Sequence, residues 1–239
     1  FAEKDGTFTN TERRVQRVRK AIEPIGDSRD DGWITCAIAQ RMGAEGFAFE
    51  SAAEIMDEIA ALTPSYGGIT HDRIADVGLQ WPCPDPSHPG TRNLHAQSFP
   101  RPGGRGRFFP LEYRPPAEEA DAEYPLLLTT ERSLYHYHTS TMTRRVPGLA
   151  TLRAEELVEI HPRDAVEVGV ASGDQVRVTS RRGDVTARAL VTEVSPPGTV
   201  SMTFHFHESP TNVLTNAAWD PVAKIPETKV CAVRIEPVR

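Results

Sequence analysis

At 239 residues the chain is long enough for one large domain or two small ones, and it should bury roughly 70% or more of its unfolded surface. Its 27 Lys and Arg against 33 Asp and Glu give a formal net charge of -6, which argues against nucleic-acid partners and confines any anion site to a local basic patch. No apolar run approaches the roughly 20 residues of a bilayer span, and three scattered cysteines, Cys36, Cys83 and Cys231, exclude a disulfide framework and a CxxC metal knuckle; a reducing, cytoplasmic setting is the expectation.

In chain order, residues 11–22 alternate charged and apolar positions in a pattern compatible with a helix, ended by Pro24 and Gly26. Asp30 or Asp31 is placed to cap a second helix carrying Trp33, Ile34, Ala37, Ile38 and Met42, with Gly43 just past its end. Ser51 and Glu54 form a capping box ahead of Ile55, Ile59 and Leu62, and Pro64 stops that helix. A short turn of helix is expected over 71–77. From Trp81 to Pro116 the composition shifts to Pro, Gly and Arg, which cannot pack a helix and reads as a long surface connection; it divides the chain into residues 1–116 and 117–239.

Beyond Tyr124 the pattern turns to strands. PLLLTT, ELVEIH, DQVRVTS, DVTARALVTEV, TVSMTF and KVCAVRIEP mostly alternate with period two and recur at short intervals, which favours a closed six-stranded barrel. Residues 161–169 interrupt them with Pro162 suited to a first helical position, so a short helix is expected to plug one barrel end. Arg181 to Asp184 make a hairpin turn, and the Arg-Gly-Asp tripeptide inside it is read as turn chemistry.

The chemistry concentrates where an apolar strand breaks into YHYHTSTMTRR. A strand ending in Thr129, Thr130 and Arg132 presents N–H groups, hydroxyls and a guanidinium fork suited to phosphate or carboxylate. His136 with His138, and His205 with His207, would each share a face in extended chain, as two metal ligands must. No cysteine accompanies either pair, and Tyr135, Tyr137, Phe204 and Phe206 suggest a stacking surface instead; no protein-held metal is assigned. Neither GxGxxG nor GxxxxGK[ST] occurs, so a nucleotide would be held by strand ends and side chains. Asn212 and Thr215 offer an amide and a hydroxyl for a purine edge, or serve as plain turn residues. Lys229 is a solvated charge unless an anion lies over that barrel end. Arg13 and Arg14, beside Glu12, either face water at a helix start or join a buried network. There is no GxSxG elbow and no Cys with a neighbouring His, so no catalytic residue is assigned.

Four dispersed segments, GTFTNTERRVQ, LTTERSLYHYHTSTMTRR, TFHFHESPTNVLTN and PETKVCAVRIEP, in that order, resemble the C-terminal part of the molybdopterin oxidoreductases, and among them the formate dehydrogenase catalytic subunits. The connecting pieces LQWPCP, HPGT, GRGRF and DAEYPLLLTT fit the same group, so the resemblance covers essentially the whole chain. It implies an α+β fold, with a helical and α/β N-terminal segment followed by a six-stranded double-psi-like β-barrel that closes over a bis-molybdopterin guanine dinucleotide carrying molybdenum or tungsten. By resemblance Arg132, Leu134, Tyr135, His136 and Thr139 cradle one dinucleotide, and Phe204, His205, Asn212, Thr215 and Lys229 line the other side of the groove. Glu12, Arg13 and Arg14 would approach the pterin from the preceding domain. One departure stands out: Glu131 occupies a position where relatives commonly carry glycine, so its carboxylate either points away or the loop differs. The family's metal-ligating residue, its substrate-side His and Arg, and its iron-sulfur cysteines are expected upstream, together with domains of the same polypeptide, and electron-transfer subunits as partners. The complete enzyme would oxidise formate; a nitrate or other oxyanion reductase is the sibling reading. A standalone nucleotide- or partner-binding barrel is the reading from another class.

Overall fold

The computed structural model describes residues 1–238 and divides by packing into two units, Phe1–Phe109 and Pro110–Arg239, each with its own core. In the first unit β1 (Gly6–Thr9) and β2 (Arg14–Val18) form an antiparallel hairpin, and β3 (Leu79–Gln80) pairs with the other edge of β2 through Val15 and Leu79. Residues 11–22 are therefore not a helix. The alternation in RVQRV is strand-like: Val15 alone is fully buried, while Arg14, Gln16, Arg17 and Val18 are only partly covered. Asn10 forces the reversal, its side-chain oxygen accepting from the N–H groups of Glu12 and Arg14 at 3.0 Å while Arg13 takes a left-handed φ of 65°.

The next two elements match the sequence patterns. Helix α1 (Asp31–Arg41) is capped by Asp30, which accepts from the N–H of Trp33 at 2.8 Å. Helix α2 (Ala52–Leu62) is capped by Ser51, and the Glu54 carboxylate reaches back to the N–H of Glu50 at 2.8 Å, one residue earlier than in a strict capping box. Residues 71–77 form consecutive turns rather than a helix, because Ile74 is pulled into the core with Val15, Met56, Ile69 and Cys83. The expected helix-free connection is present, with a single 3-10 turn at Pro102–Gly104.

The second unit is a closed barrel of β4 (Leu126–Glu131), β5 (Leu157–Ile160), β6 (Gln175–Thr179), β7 (Asp184–Val191), β8 (Thr199–Thr203) and β9 (Cys231–Pro237). Around the barrel the order is β4, β8, β5, β7, β6, β9. The β4–β8 and β5–β7 pairs are parallel and the other four antiparallel. All six strands coincide with the period-two segments, because alternate residues such as Leu126 and Leu128, Val158 and Ile160, or Val176 and Val178 fill the barrel interior while their neighbours face out. Two helices sit between strands: α3 (Pro147–Leu152), which no sequence pattern announced, and α4 (Pro162–Val168). Helix α4 starts on Pro162, ends on Gly169 at a left-handed φ of 77°, and inserts Ala165 into the barrel core as expected. Residues 180–183 close the β6–β7 hairpin as the turn expected there.

Leu128 is 1% exposed at the centre of β4. Replacing it by Ala is expected to cost about 2–5 kcal/mol of stability through the cavity it leaves, read as a lowered denaturant midpoint; a loss under about 0.5 kcal/mol would show that β4 is not packed as described.

Candidate functional site

Because β4 and β8 are parallel, with Thr130 beside Met202 and Glu131 beside Thr203, both strands end on one rim of the barrel and the loops that follow them meet. His205 joins the two. The Ser133 N–H donates to its Nε2 at 2.9 Å, its Nδ1 contacts the His138 carbonyl, and the Ser140 hydroxyl donates to the His205 carbonyl at 2.6 Å. An acceptor at Nε2 and a carbonyl at Nδ1 fix a neutral imidazole with its proton on Nδ1. Burial, with Arg132 and Arg153 nearby, holds its pKa below the usual histidine value. The same bonds secure two non-glycine residues in left-handed backbone, His138 at φ 50° and Ser140 at φ 58°.

His136 makes a second brace. Its Nε2 donates to the Arg153 carbonyl at 2.7 Å, its Nδ1 lies 3.0 Å from the Thr143 hydroxyl, and its ring meets Phe206 edge-on with centroids 5.3 Å apart. The two histidine pairs therefore do not project from one extended face. The chain is looped through both, and the ring nitrogens of His136 and His205 are occupied by protein groups. Among the described residues no three His, Cys, Asp or Glu side chains gather as a metal site.

Arg132 stands differently. It is exposed, its guanidinium carbon lies 5.4 Å from the Phe204 ring centre, and no hydrogen bond or ion pair among the described residues engages it. Arg144, on the same loop, is by contrast closed by a two-point pairing with Glu208 at 2.7 and 2.9 Å. Leu134, Tyr135 and Thr139 project from the Arg132 loop and are exposed. Lys229 donates to the Thr130 carbonyl at the foot of that loop, and the Thr130 hydroxyl donates to Thr228 at 2.9 Å.

Asn212 and Thr215 lie farther along the second loop, over the β6–β7 hairpin. Thr215 donates to the Asn212 carbonyl at 2.9 Å, and Arg182 of the hairpin holds the Leu214 carbonyl at 2.8 and 3.0 Å. The Asn212 side chain is exposed and its amide carries no hydrogen bond among the described residues. The structure thus brings Arg132, Leu134, Tyr135, His136, Thr139, Phe204 and His205 onto two adjoining loops, with Lys229 at their foot and Asn212 and Thr215 beyond.

Glu12, Arg13 and Arg14 belong to the first unit. They sit in the β1–β2 turn and its outgoing strand, not at a helix start. Arg13 donates to the carbonyls of Trp81, Thr91 and Arg92 and lies over the Trp81 ring, while Arg14 reaches Gly78 at 3.2 Å and Glu12 at 3.3 Å. The partly buried network, not the solvated pair, is what forms.

Three contributors had not been singled out from sequence. Ser133 and Ser140 tie the loop to His205, and the buried Glu156 accepts from the Thr203 hydroxyl at 2.6 Å and the Thr203 N–H at 2.9 Å, fixing the end of β8. A signal existed for Glu156: it falls on the inward parity of Val158 and Ile160, where a carboxylate has no packing reason to be.

The second unit's match is a Molydopterin dinucleotide binding domain over residues 126–232, and residues 1–41 match Molybdopterin oxidoreductase. The chain belongs to the molybdopterin oxidoreductase family. It is 51% identical over its whole length to the F420-dependent formate dehydrogenase 2 subunit alpha of Methanococcus maripaludis and 38% identical over 99% of its length to the nitrate reductase of Symbiobacterium thermophilum. It spans only 35% and 34% of those two relatives. The solved acetylene hydratase from Pelobacter acetylenicus shares the fold, with a TM-score of 0.72 at 16% identity, over 99% of this chain and 37% of that one.

The residues present fit a molybdopterin dinucleotide. Arg132 is a free anion fork, and two buried hydroxyls without partners, Ser133 Oγ and Thr211 Oγ1, adjoin Arg132 and Asn212 in sequence. The discordant group is Glu131, which burial and the neighbouring Glu159 push above the usual carboxylate pKa. Glu131 ends β4 on the outward parity of Leu127 and Thr129, partly covered rather than fully solvated. A carboxyl group with a raised folded pKa contributes stability that is full below its unfolded pKa and is lost as pH rises through the folded value. Glu131→Gln is therefore expected to gain thermal stability over the parent protein on going from about pH 4 to pH 8. A difference between the two melting temperatures that does not change with pH would contradict this.

Proposed function

We propose that this chain is the C-terminal, cofactor-enclosing portion of a molybdenum- or tungsten-dependent formate dehydrogenase, with residues 1–116 completing an α/β region and residues 117–239 forming the dinucleotide-binding barrel. The observation that carries the proposal is the pairing of the β4 and β8 loops through His205, which leaves Arg132 exposed and unpaired on the rim. In this reading the bis-molybdopterin guanine dinucleotide, when bound, supplies a metal centre able to take two electrons from formate. Arg132 binds a pyrophosphate oxygen, and the Ser133 and Thr139 hydroxyls complete that end. The faces of Tyr135 and Phe204 flank flat ring surfaces, with Leu134 excluding water beside them. Lys229 adds positive charge at the foot of the loop. Asn212 and Thr215 read the guanine edge, and Glu12, Arg13 and Arg14 stabilise the pterin-side backbone. His136 and His205 act by holding the loops.

Formate is favoured over nitrate by the higher identity to the formate dehydrogenase relative, 51% against 38%. The substrate pocket, an iron-sulfur cluster and contacts to electron-transfer subunits are assigned to the remaining two thirds of the polypeptide. No described helix is long and apolar enough to cross a membrane, and a cytoplasmic enzyme is the corresponding reading. Family membership weighs against a standalone barrel without redox chemistry.

In the full-length enzyme, Arg132→Ala is expected to lower guanine and pterin content per polypeptide several-fold with the melting temperature of the apoprotein unchanged. Asn212→Ala is expected to weaken retention of the guanine end while folding stays intact. Full cofactor content in the Arg132 variant would remove that residue from the site; unfolding with normal loading in the Asn212 variant would make Asn212 structural.

A further inference from the structure

Helix α1 reads DGWITCAIAQR, with apolar side chains at Trp33, Ile34, Ala37 and Ile38 and with Met42 at its end. These positions cover about half of the helix circumference, and so wide an apolar stripe normally packs against a neighbouring element. Yet none of its residues is buried: Trp33 is 53% exposed, Ile38 55% and Met42 81%. One face of α1 forms a wall of a cavity of about 1400 Å³ within the first unit, opposite the segment 47–56, and Cys36 lies in that wall. His71 and Arg17 line another side of the cavity. The molecule has 16257 Å² of accessible surface, whereas two compact monomers of these unit sizes standing apart would show only about 13,000 Å².

We propose that this cavity and the outer stripe of α1, Ile34, Ile38 and Met42, are docking surfaces for the remainder of the same polypeptide, which packs apolar side chains around α1. The occupant is identified by length. The chain spans 35% of the formate dehydrogenase relative, so some two thirds of a protein of that kind is available to cover it. The cavity wall mixes Lys4, Arg17 and Lys20 with Glu3, Asp5 and Asp72 beside the apolar residues, which suits a folded polypeptide surface and not a small ion of one sign. This inference rests on the reading of the chain as part of a longer enzyme, and it concerns a different surface from the barrel rim.

The test uses the native full-length enzyme. Cys36 is partly exposed, whereas Cys83 and Cys231 are buried. Its alkylation under native conditions, read by peptide mass spectrometry, is expected to be at least tenfold slower than that of a free thiol, and to accelerate in an Ile34→Asp, Ile38→Asp double variant. Should that variant not fold, cross-linking of the parent enzyme gives the second readout: Lys4 is expected to link to peptides outside residues 1–239. Rapid alkylation of Cys36 with no such cross-links overturns the inference, as does a native polypeptide no longer than this chain. Guanine and pterin content of the same preparation keeps the outcomes apart, since full cofactor loading with a reactive Cys36 refutes the docking surface alone.

Discussion

One imidazole determines whether the barrel rim is a site or only two loose loops. His205 receives the Ser133 N–H on one nitrogen and faces the His138 carbonyl with the other, while its own carbonyl is held by Ser140. Those three bonds cross more than 60 residues of sequence and anchor left-handed turns that side chains other than glycine adopt only under constraint. They are possible because β4 and β8 are parallel neighbours, so that both strands end on the same rim. The buried Glu156 extends the brace downward by fixing Thr203 at the end of β8, and His136 extends it sideways to Arg153. What this scaffold leaves outside is the chemically useful part: an unpaired guanidinium over an aromatic ring.

The division of labour among positive charges follows from the same packing. Arg13, Arg14 and Arg144 all look available in sequence, and all three are consumed by carbonyls or carboxylates in the fold. Arg132 is not. A fork that keeps its donors free but has its position restricted by a ring beneath it loses less entropy on binding an anion than a fully mobile one. Glu131 acts against that advantage only when ionised, since its carboxylate then places negative potential one residue from the fork, and partial burial beside Glu159 opposes that ionisation.

The barrel was legible because its constraint is local: period-two alternation places Leu128, Val178 or Val200 inward whatever the order of strands around the barrel. Alternation also explains the miss at residues 11–22, where charge every second or third position suited both helix and strand, and the decisive element was the Asn10 turn. The turn over 71–77 depended on Ile74 reaching a core assembled from distant residues. At the site, the loops carrying chemistry were visible as composition, but the roles of the histidines were not. Spacing of two suggested shared faces, whereas the fold uses His136 and His205 as internal hydrogen-bonding partners. That assignment needs Ser133 and Arg153, which nothing in sequence places beside them.

The central claim is that the loops after β4 and β8 act as one binding face for a molybdopterin dinucleotide. Amide hydrogen exchange on the full-length enzyme, with and without its cofactor, tests it most directly. Residues 132–140 and 204–206 are expected to gain protection together on loading, because His205 couples them. Protection confined to one loop, or found only on other faces of the barrel, would contradict the account.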